Sequence, residues 1–269
     1  VVFDFHLLKE ESVLERPFVS IIIPTYNESD AIESLLDSLC VYTEEEVVVV
    51  DGGSTDGTDE IIMSLSAKYS QLVFTQAQRG RSLQMNAGAA VARGRWLIFL
   101  HADTLLPQAS LKAFIEYVKS NPETIGGAFT FRVAHSKAVY RYLEWYVAQR
   151  CRFLKLPFGD QAIFVRKDVF GKLGGYRSDY PLMEDMEFVQ RLNKYDGFAV
   201  VQAPVYTSAR RFERDGYFRR TLGNLYLQVL YSCGVHPQQL AQRYYGYHAQ
   251  PLSQSVPTHN RAARGQTST

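Results

Sequence analysis

Four consecutive valines at 47–50 are apolar on both sides of any extended backbone, so the run EVVVVD predicts a strand buried on both faces of a parallel sheet. Asp51 ends it. Small and polar residues follow through Gly57, and Asp59 and Glu60 then occupy the first turn of a predicted helix, where acids are favoured. A carboxylate therefore stands just past the carboxyl end of a central strand, where open α/β sheets bind ligands. The same pattern flanks it. Residues 18–23 predict a buried strand closed by Pro24, and a turn over 25–28 leads into a helix carrying Ile32, Leu35, Leu36 and Leu39. A helix with Ile61, Ile62, Leu65 and Tyr69 and a strand at 72–75 complete a βαβαβ run. After Arg79-Gly80-Arg81, a helix through Leu83, Met85, Ala87, Ala90 and Val91 precedes a strand at 95–100 that closes on His101-Ala102-Asp103-Thr104. Such alternation predicts a mostly parallel, doubly wound, Rossmann-like sheet with right-handed crossovers.

Downstream, a helix over 107–119 and a strand over 125–133 precede an aromatic and basic helix and loop at 138–158. Gly159-Asp160-Gln161 opens a strand through 165, a short helix covers 167–173, and another spans 183–194. Two short strands, 198–201 and 204–207, lead to a loop at 208–211 and an amphipathic helix at 216–235. In the 183–194 helix, Asp185 shares a face with Phe188, Val189 and Leu192, whereas Glu184 lines up with Glu187 and Arg191. Only Asp185 is thereby expected to point inward. An acid in that place also has a plainer use, complementing the helix dipole. In the last helix, Phe218, Leu222, Leu225, Tyr226, Val229 and Leu230 form one stripe, which either packs the helix onto the sheet or docks it on an anionic membrane. The expected organisation is an N-terminal extension (1–17), a main domain (18–214), a C-terminal helical segment (215–247) and a disordered tail (248–269).

Charge is uneven: residues 1–130 carry 9 basic and 18 acidic side chains, and 131–269 carry 20 and 10. The basic half can meet phosphates, but it has no Lys/Arg block and no nucleic-acid partner is expected. Three widely spaced cysteines without a CxxC suggest neither a disulfide framework nor a zinc site. No apolar run approaches the roughly 20 residues of a membrane span. The cysteine usage fits a reducing compartment, and the chain is expected in the cytoplasm, free or peripheral on the cytoplasmic membrane face.

Asp103 ends a strand in a site that also holds Asp51, and the natural use of such an acid is a hard divalent cation bridging a bound diphosphate. Mg²⁺ or Mn²⁺ commonly takes only one or two protein carboxylates. PTYNE at 24–28, VVDGGSTDGT, GRxxQMNAG at 80–88, HADT and LMED together resemble a family 2 glycosyltransferase of GT-A fold, over roughly residues 18–235. HADT, GDQ, LMED and TSARR together are similar to a bacterial-type subgroup.

The resemblance implies a nucleotide-sugar site in which Tyr26 stacks on the nucleobase, Pro24 and Glu28 line the pocket, and Asp51 bonds the base. It implies that Asp103 holds Mn²⁺ or Mg²⁺ and that Asp185 is the catalytic base. His101 stands where the family usually has an acid, which leaves it a hydrogen-bond donor, a metal ligand or a neighbour of one. Arg79, Arg81, Arg210 and Arg211 are candidates for the leaving diphosphate, or ordinary surface ion-pair residues. Asp160 and Gln161 are candidates for contact with acceptor or donor sugar. The expected activity is inverting, metal-dependent transfer from a nucleotide sugar, with UDP the expected nucleotide, to an acceptor that includes lipid or carotenoid types. Rivals are a sugar nucleotidyltransferase, which lacks its GxGTR signature here, and a non-catalytic nucleotide-sugar-binding protein, which single-turnover assays would separate. A dinucleotide dehydrogenase is disfavoured by the absence of GxGxxG.

Overall fold

The computed structural model describes residues 16–245; the tail at 248–269 and all but residues 16 and 17 of the N-terminal extension lie outside the described residues. Its centre is a sheet of eight strands in the order β3-β2-β1-β4-β7-β6-β8-β5. The strands are β1 (Val19–Thr25), β2 (Glu46–Asp51), β3 (Leu72–Gln76), β4 (Trp96–Phe99), β5 (Thr104–Leu105), β6 (Gly126–Val133), β7 (Ile163–Arg166) and β8 (Phe198–Thr207). β1 to β4 are mutually parallel, as the alternation predicts. β7 enters antiparallel between β4 and β6, and β8 runs parallel to β6 with β5 antiparallel at its edge. The sheet is mixed but mostly parallel.

Its two faces are covered by different helices, and the period-2 alternation of each strand decides which side chain meets which. Val19, Ile21, Ile23, Val47 and Val49 face the helices α1 (Ser29–Cys40), α2 (Thr58–Lys68) and α4 (Gln108–Ser120). Ile22, Val48 and Val50 face α3 (Arg81–Val91), α6 (Lys167–Lys172) and α7 (Glu184–Leu192). A third cluster seats α5 (Ala138–Leu154) on Phe131 and Val133 of β6.

Several expectations change. The strands read at 198–201 and 204–207 are one, because Val201 and Pro204 pair with consecutive residues of β6 and the two residues between them bulge. The buried face of α3 is Gln84, Met85, Gly88 and Ala89 rather than one running to Ala90 and Val91, which are exposed. The C-terminal segment is α8 (Arg210–Asp215), α9 (Tyr217–Ser232) and α10 (Pro237–Tyr245). The stripe on α9 does not pack onto the sheet. Phe218 and Leu222 are 74% and 62% exposed, Leu225, Tyr226 and Val229 are exposed with them, and the one buried residue of α9 is Leu227. Leu227 packs with Leu240 and Ala241 against Leu182, in the loop that leads into α7.

Gly88 sets how closely α3 approaches the sheet, since a Cβ there would lie 2.5 Å from Ile22 Cγ2 and 2.9 Å from Val50 Cγ2. Both atoms belong to stiff β-branched side chains in central strands. Gly88→Ala is expected to destabilise the fold by about 1–3 kcal/mol, read as a lower midpoint in denaturant unfolding.

Candidate active site

The ends of β1, β2 and β4 lie side by side, so the loops after them form one rim. The first two loops are knitted together. Asn27, held at φ 51°, accepts from Thr55 N–H through Oδ1 at 2.9 Å, and its own N–H donates to Ser54 Oγ at 2.9 Å. Glu28 N–H donates to Thr58 Oγ1 at 2.9 Å and Ser29 N–H to Asp56 Oδ2 at 3.1 Å. Beneath them Gln84, buried in α3, donates through Nε2 to Thr25 O and Val50 O at 2.6 and 2.8 Å, tying the strand ends to one amide. Two sides of α3 therefore do different work. Asn86 donates to Tyr176 O and accepts from Tyr176 N–H, fixing the segment beyond α6.

Tyr26 is half-buried on the rim, with the Arg79 guanidinium 3.9 Å from its ring centre and Arg79 Nη1 donating to its hydroxyl at 3.3 Å. Pro24 is buried in β1. Glu28 is paired with Arg210 of α8 at 3.0 Å, which draws the C-terminal region over the same rim, and Arg211 follows in that helix. Asp51 is fully buried, and its carboxylate accepts from Gly53 N–H at 2.8 Å, Ser54 N–H at 2.9 Å and the Ser54 hydroxyl. It shapes the DGGS turn instead of presenting a bare carboxylate.

Asp103 lies between β4 and β5, its carbonyl accepting from Ser208 N–H at 2.9 Å. Facing it is a 3-10 turn over Gly159–Gln161. Gly159 N–H donates to Asp185 Oδ2 at 2.7 Å. A Cβ on Gly159 would stand 2.7 Å from His101 Nε2 and 3.3 Å from Asp185 Oδ2, so the glycine is what lets His101 and Asp185 close on the turn. Asp160 is half-buried, yet its Oδ1 is sealed from solvent with no hydrogen-bond partner. Burial first, then the charges of Asp185 and Asp103, push its carboxyl up to about 6 against the pull of Arg150. Gln161 does not line the cleft. It is 1% exposed, accepting from Arg150, Cys151 and Phe158 N–H and donating to Phe129 O, and so it braces the turn from behind.

The expectation that only Asp185 points inward is overturned. Glu184 is the more buried of the two at 1% exposed, because its carboxylate meets Arg81 Nε from the start of α3 at 2.9 Å, while half-buried Asp185 faces Gly159. Helical phase separates adjacent side chains by about 100°, and in this crowded corner both directions are inside. A further non-glycine residue with positive φ, Met183 at 64°, immediately precedes them. Arg191 anchors the far end of α7, donating to Leu173 O and Gly175 O.

Among the described residues no three His, Cys, Asp or Glu side chains form a self-contained metal centre. The unpartnered Asp160 oxygen within electrostatic reach of Asp103 and Asp185 nevertheless fits a hard cation that takes few carboxylates and completes its sphere with phosphate and water.

The sequence profile described as Glycosyl transferase family 2 matches residues 20–176, which span both knitted loops, Asp103 and the Gly159 turn. The chain belongs to that family. A PGL/p-HBAD biosynthesis glycosyltransferase of Mycobacterium bovis is 32% identical over 179 residues, covering 65% of this chain and 69% of the relative. The glycosyltransferase AglE of Haloferax volcanii is 29% identical over 185 residues, covering 65% and 61%. Among solved structures, the mannosyltransferase PcManGT from Pyrobaculum calidifontis, in complex with GDP-Man and Mn²⁺, superposes with a TM-score of 0.54 at 23% identity. That match covers 72% of this chain and only 57% of the mannosyltransferase. S. aureus TarS 1–349 gives 0.58 at 19% identity, covering 83% and 68%. These structures establish the GT-A fold of the family 2 chain.

The raised Asp160 carboxyl makes the site a pH-dependent burden. Ionising it costs more in the folded state than in the unfolded chain, so stability is lost as pH rises from about 4 through about 6. Asp160→Asn is expected to stabilise the ligand-free family 2 chain at pH 7.5 by on the order of 1–2 kcal/mol, read as a higher melting temperature. The gap should close below pH about 4 in a melting series across pH.

Proposed function

We propose that this chain is an inverting, metal-dependent glycosyltransferase that moves a sugar from a nucleotide donor, UDP-linked by preference, to an acceptor hydroxyl or carboxylate. The observation that carries the reading is the meeting of Asp103, Asp160 and Asp185 around Gly159, beside a rim that offers an aromatic ring and arginines. Tyr26 would stack on the nucleobase, with Arg79 leaving the ring face or closing over the base, and Pro24, Glu28 and the Asp51 turn would form the pocket around it. Arg81, Arg210 and Arg211 would face the diphosphate. Asp160 and His101 would border the sugar. Asp103 would hold Mn²⁺ or Mg²⁺, which when bound neutralises charge developing on the departing diphosphate.

Asp185 is the proposed base. Its Oδ2 is oriented by Gly159 N–H, leaving it to take the proton from an acceptor hydroxyl; a carboxylate acceptor needs none. The acceptor oxygen attacks the anomeric carbon from the side opposite the diphosphate, the bond to that leaving group breaks, and configuration inverts. A mannosyltransferase neighbour bound to GDP-Man and Mn²⁺ and TarS bound to UDP-GlcNAc support a nucleotide-sugar donor and leave its base to experiment. Nucleotide release from UDP-, GDP- and TDP-sugars with extracted lipids as acceptors tests the reading. Asp103→Ala is expected to abolish metal-dependent transfer with the fold intact, and Asp185→Asn to lower kcat by ~10²–10⁴ with donor affinity nearly unchanged.

A lipid-type acceptor met at a membrane surface is the finer part of the proposal. Among the described residues no helix is long and apolar enough to cross a membrane. α9 instead turns five apolar side chains to solvent, and α5 exposes Tyr142, Trp145, Tyr146, Phe153 and Leu154. No acid occurs from 216 to 245, and the one acid of α5, Glu144, is buried between Arg132 and Arg141. The acids that flank these helices, Glu213 and Asp215 of α8, are paired with Lys137 and with Arg214 and Arg220, and the apolar and aromatic surface beside them complements anionic headgroups. Binding to phosphatidylglycerol-containing vesicles in flotation is expected, weakened by salt and reduced at least tenfold in Phe218→Ser/Leu222→Ser; absence of binding to any vesicle would exclude docking.

A further inference from the structure

Glu184 is a costly side chain to bury. Its Oε1 meets Arg81 at 2.9 Å, but its Oε2 is sealed from solvent with no hydrogen-bond partner, and burial pushes its carboxyl upward. A buried ion pair satisfied on one side only is a poor stabiliser; apolar residues of similar size commonly hold a fold as well or better. What such a pair does supply is register, because its geometry is narrow and its rupture expensive. The two elements it joins are informative. Arg81 is the first residue of α3, two residues after the Arg79 that covers Tyr26, and Gly80 between them sits at φ 146°. Glu184 is the first residue of α7, directly before Asp185 and directly after Met183 in a left-handed conformation.

The pair is thus a strut between the loop on the donor side and the turn that carries the proposed base. We infer that Glu184 is a positioning residue, whose ion pair with Arg81 holds the first turn of α7 so that the Asp185 carboxylate and the donor-side loop keep one fixed relation. The inference rests on the reading of Asp185 as the base. Asp185 has its own ties, Oδ2 to Gly159 N–H and Oδ1 to Met186 N–H, each at 2.7 Å, but these orient the carboxylate and do not hold the start of the helix. Loss of the strut lets the helix start relax around Met183, and displacements of about 1 Å at a reacting group cost on the order of 10² in rate. Binding of the donor is affected less, since Tyr26, the knitted loops and Gln84 hold that pocket independently of Glu184.

The test is a double-mutant cycle of Glu184→Gln, Arg81→Lys and the pair, in the full chain, with the donor and acceptor found by the nucleotide-release screen. Glu184→Gln keeps size and an acceptor oxygen for Arg81 and carries no buried charge, so it is expected to fold, checked by melting temperature. The expected result is a fall in kcat of ~10–100-fold with donor KM within ~3-fold of wild type. Arg81→Lys also disturbs the proposed diphosphate contact and should raise donor KM in both backgrounds, but its kcat loss should be smaller in the Glu184→Gln background than in wild type, because the strut is already weakened there. A Glu184→Gln enzyme with kcat within ~2-fold of wild type, or kcat losses that multiply in the double mutant, would overturn the inference. Asp185→Asn, run alongside, tests the base separately: wild-type turnover in that variant would remove the reading on which the inference stands, whatever Glu184→Gln does.

Discussion

Parallel pairing makes neighbouring strands end on the same edge of a sheet, and this constraint fixes where everything else in the molecule goes. β1 pairs with β2 and with β4 in parallel register, so the loops after Thr25, Asp51 and Phe99 emerge side by side. Each strand must then be followed by a crossover, and the crossover helices supply both cores. The rim left between them is where backbone groups lack a ladder partner. Gln84 from α3 and the Asn27 and Asp51 side chains satisfy much of that rim, which is why a polar residue as large as glutamine is buried there.

The other half of the site arrives from later in the chain. β7 enters antiparallel beside β4 and thereby brings the Gly159 turn to the same edge as Asp103, and α7 then places Asp185 against it. Three carboxylates share a small volume, one of them with an oxygen that none of the described residues satisfies. Such crowding works against the folded state, and it persists because the two apolar clusters on either side of the sheet are large enough to offset it. The same cores let a buried Glu184 be tolerated. Sites of this kind gain stability when neutralised and lose function by it.

The C-terminal helices follow a different logic. α9 has a helical apolar stripe, the usual mark of a packed helix, yet most of that stripe faces solvent, and the helix holds to the rest through Tyr217 beside Tyr140 and Phe212 at its start and through Leu227 and Tyr231 beside Leu182 and Tyr180 further on. The contact with Leu182 lies next to the start of α7. Whatever α9 meets is therefore one packing contact away from the turn carrying Glu184 and Asp185.

The sequence by itself determined the parallel βαβ core, because four valines in a row and apolar residues at helical spacing leave few other ways to bury that surface. It also marked Asp51 as the last residue of β2 and Asp103 in the segment that follows β4, since the end of an apolar run is read directly from the pattern. Only the tertiary structure decided what those acids do: Asp51 is consumed by its own turn, and Asp160 and Asp185 join Asp103 through a strand inserted in the opposite direction. The signal for Gln84 and Asn86 was present in QMN, two polar residues in the otherwise apolar stretch from Leu83 to Val91, but which carbonyls they reach depends on the sheet. Helical periodicity assigned one inward acid to α7, which failed, and left the α9 stripe open between packing on the sheet and facing outward; both lay beyond it for the same reason. Periodicity gives the angle between side chains around a helix; what stands opposite each angle, Arg81 beside Glu184 or solvent beside Phe218, is set by elements far away in the chain.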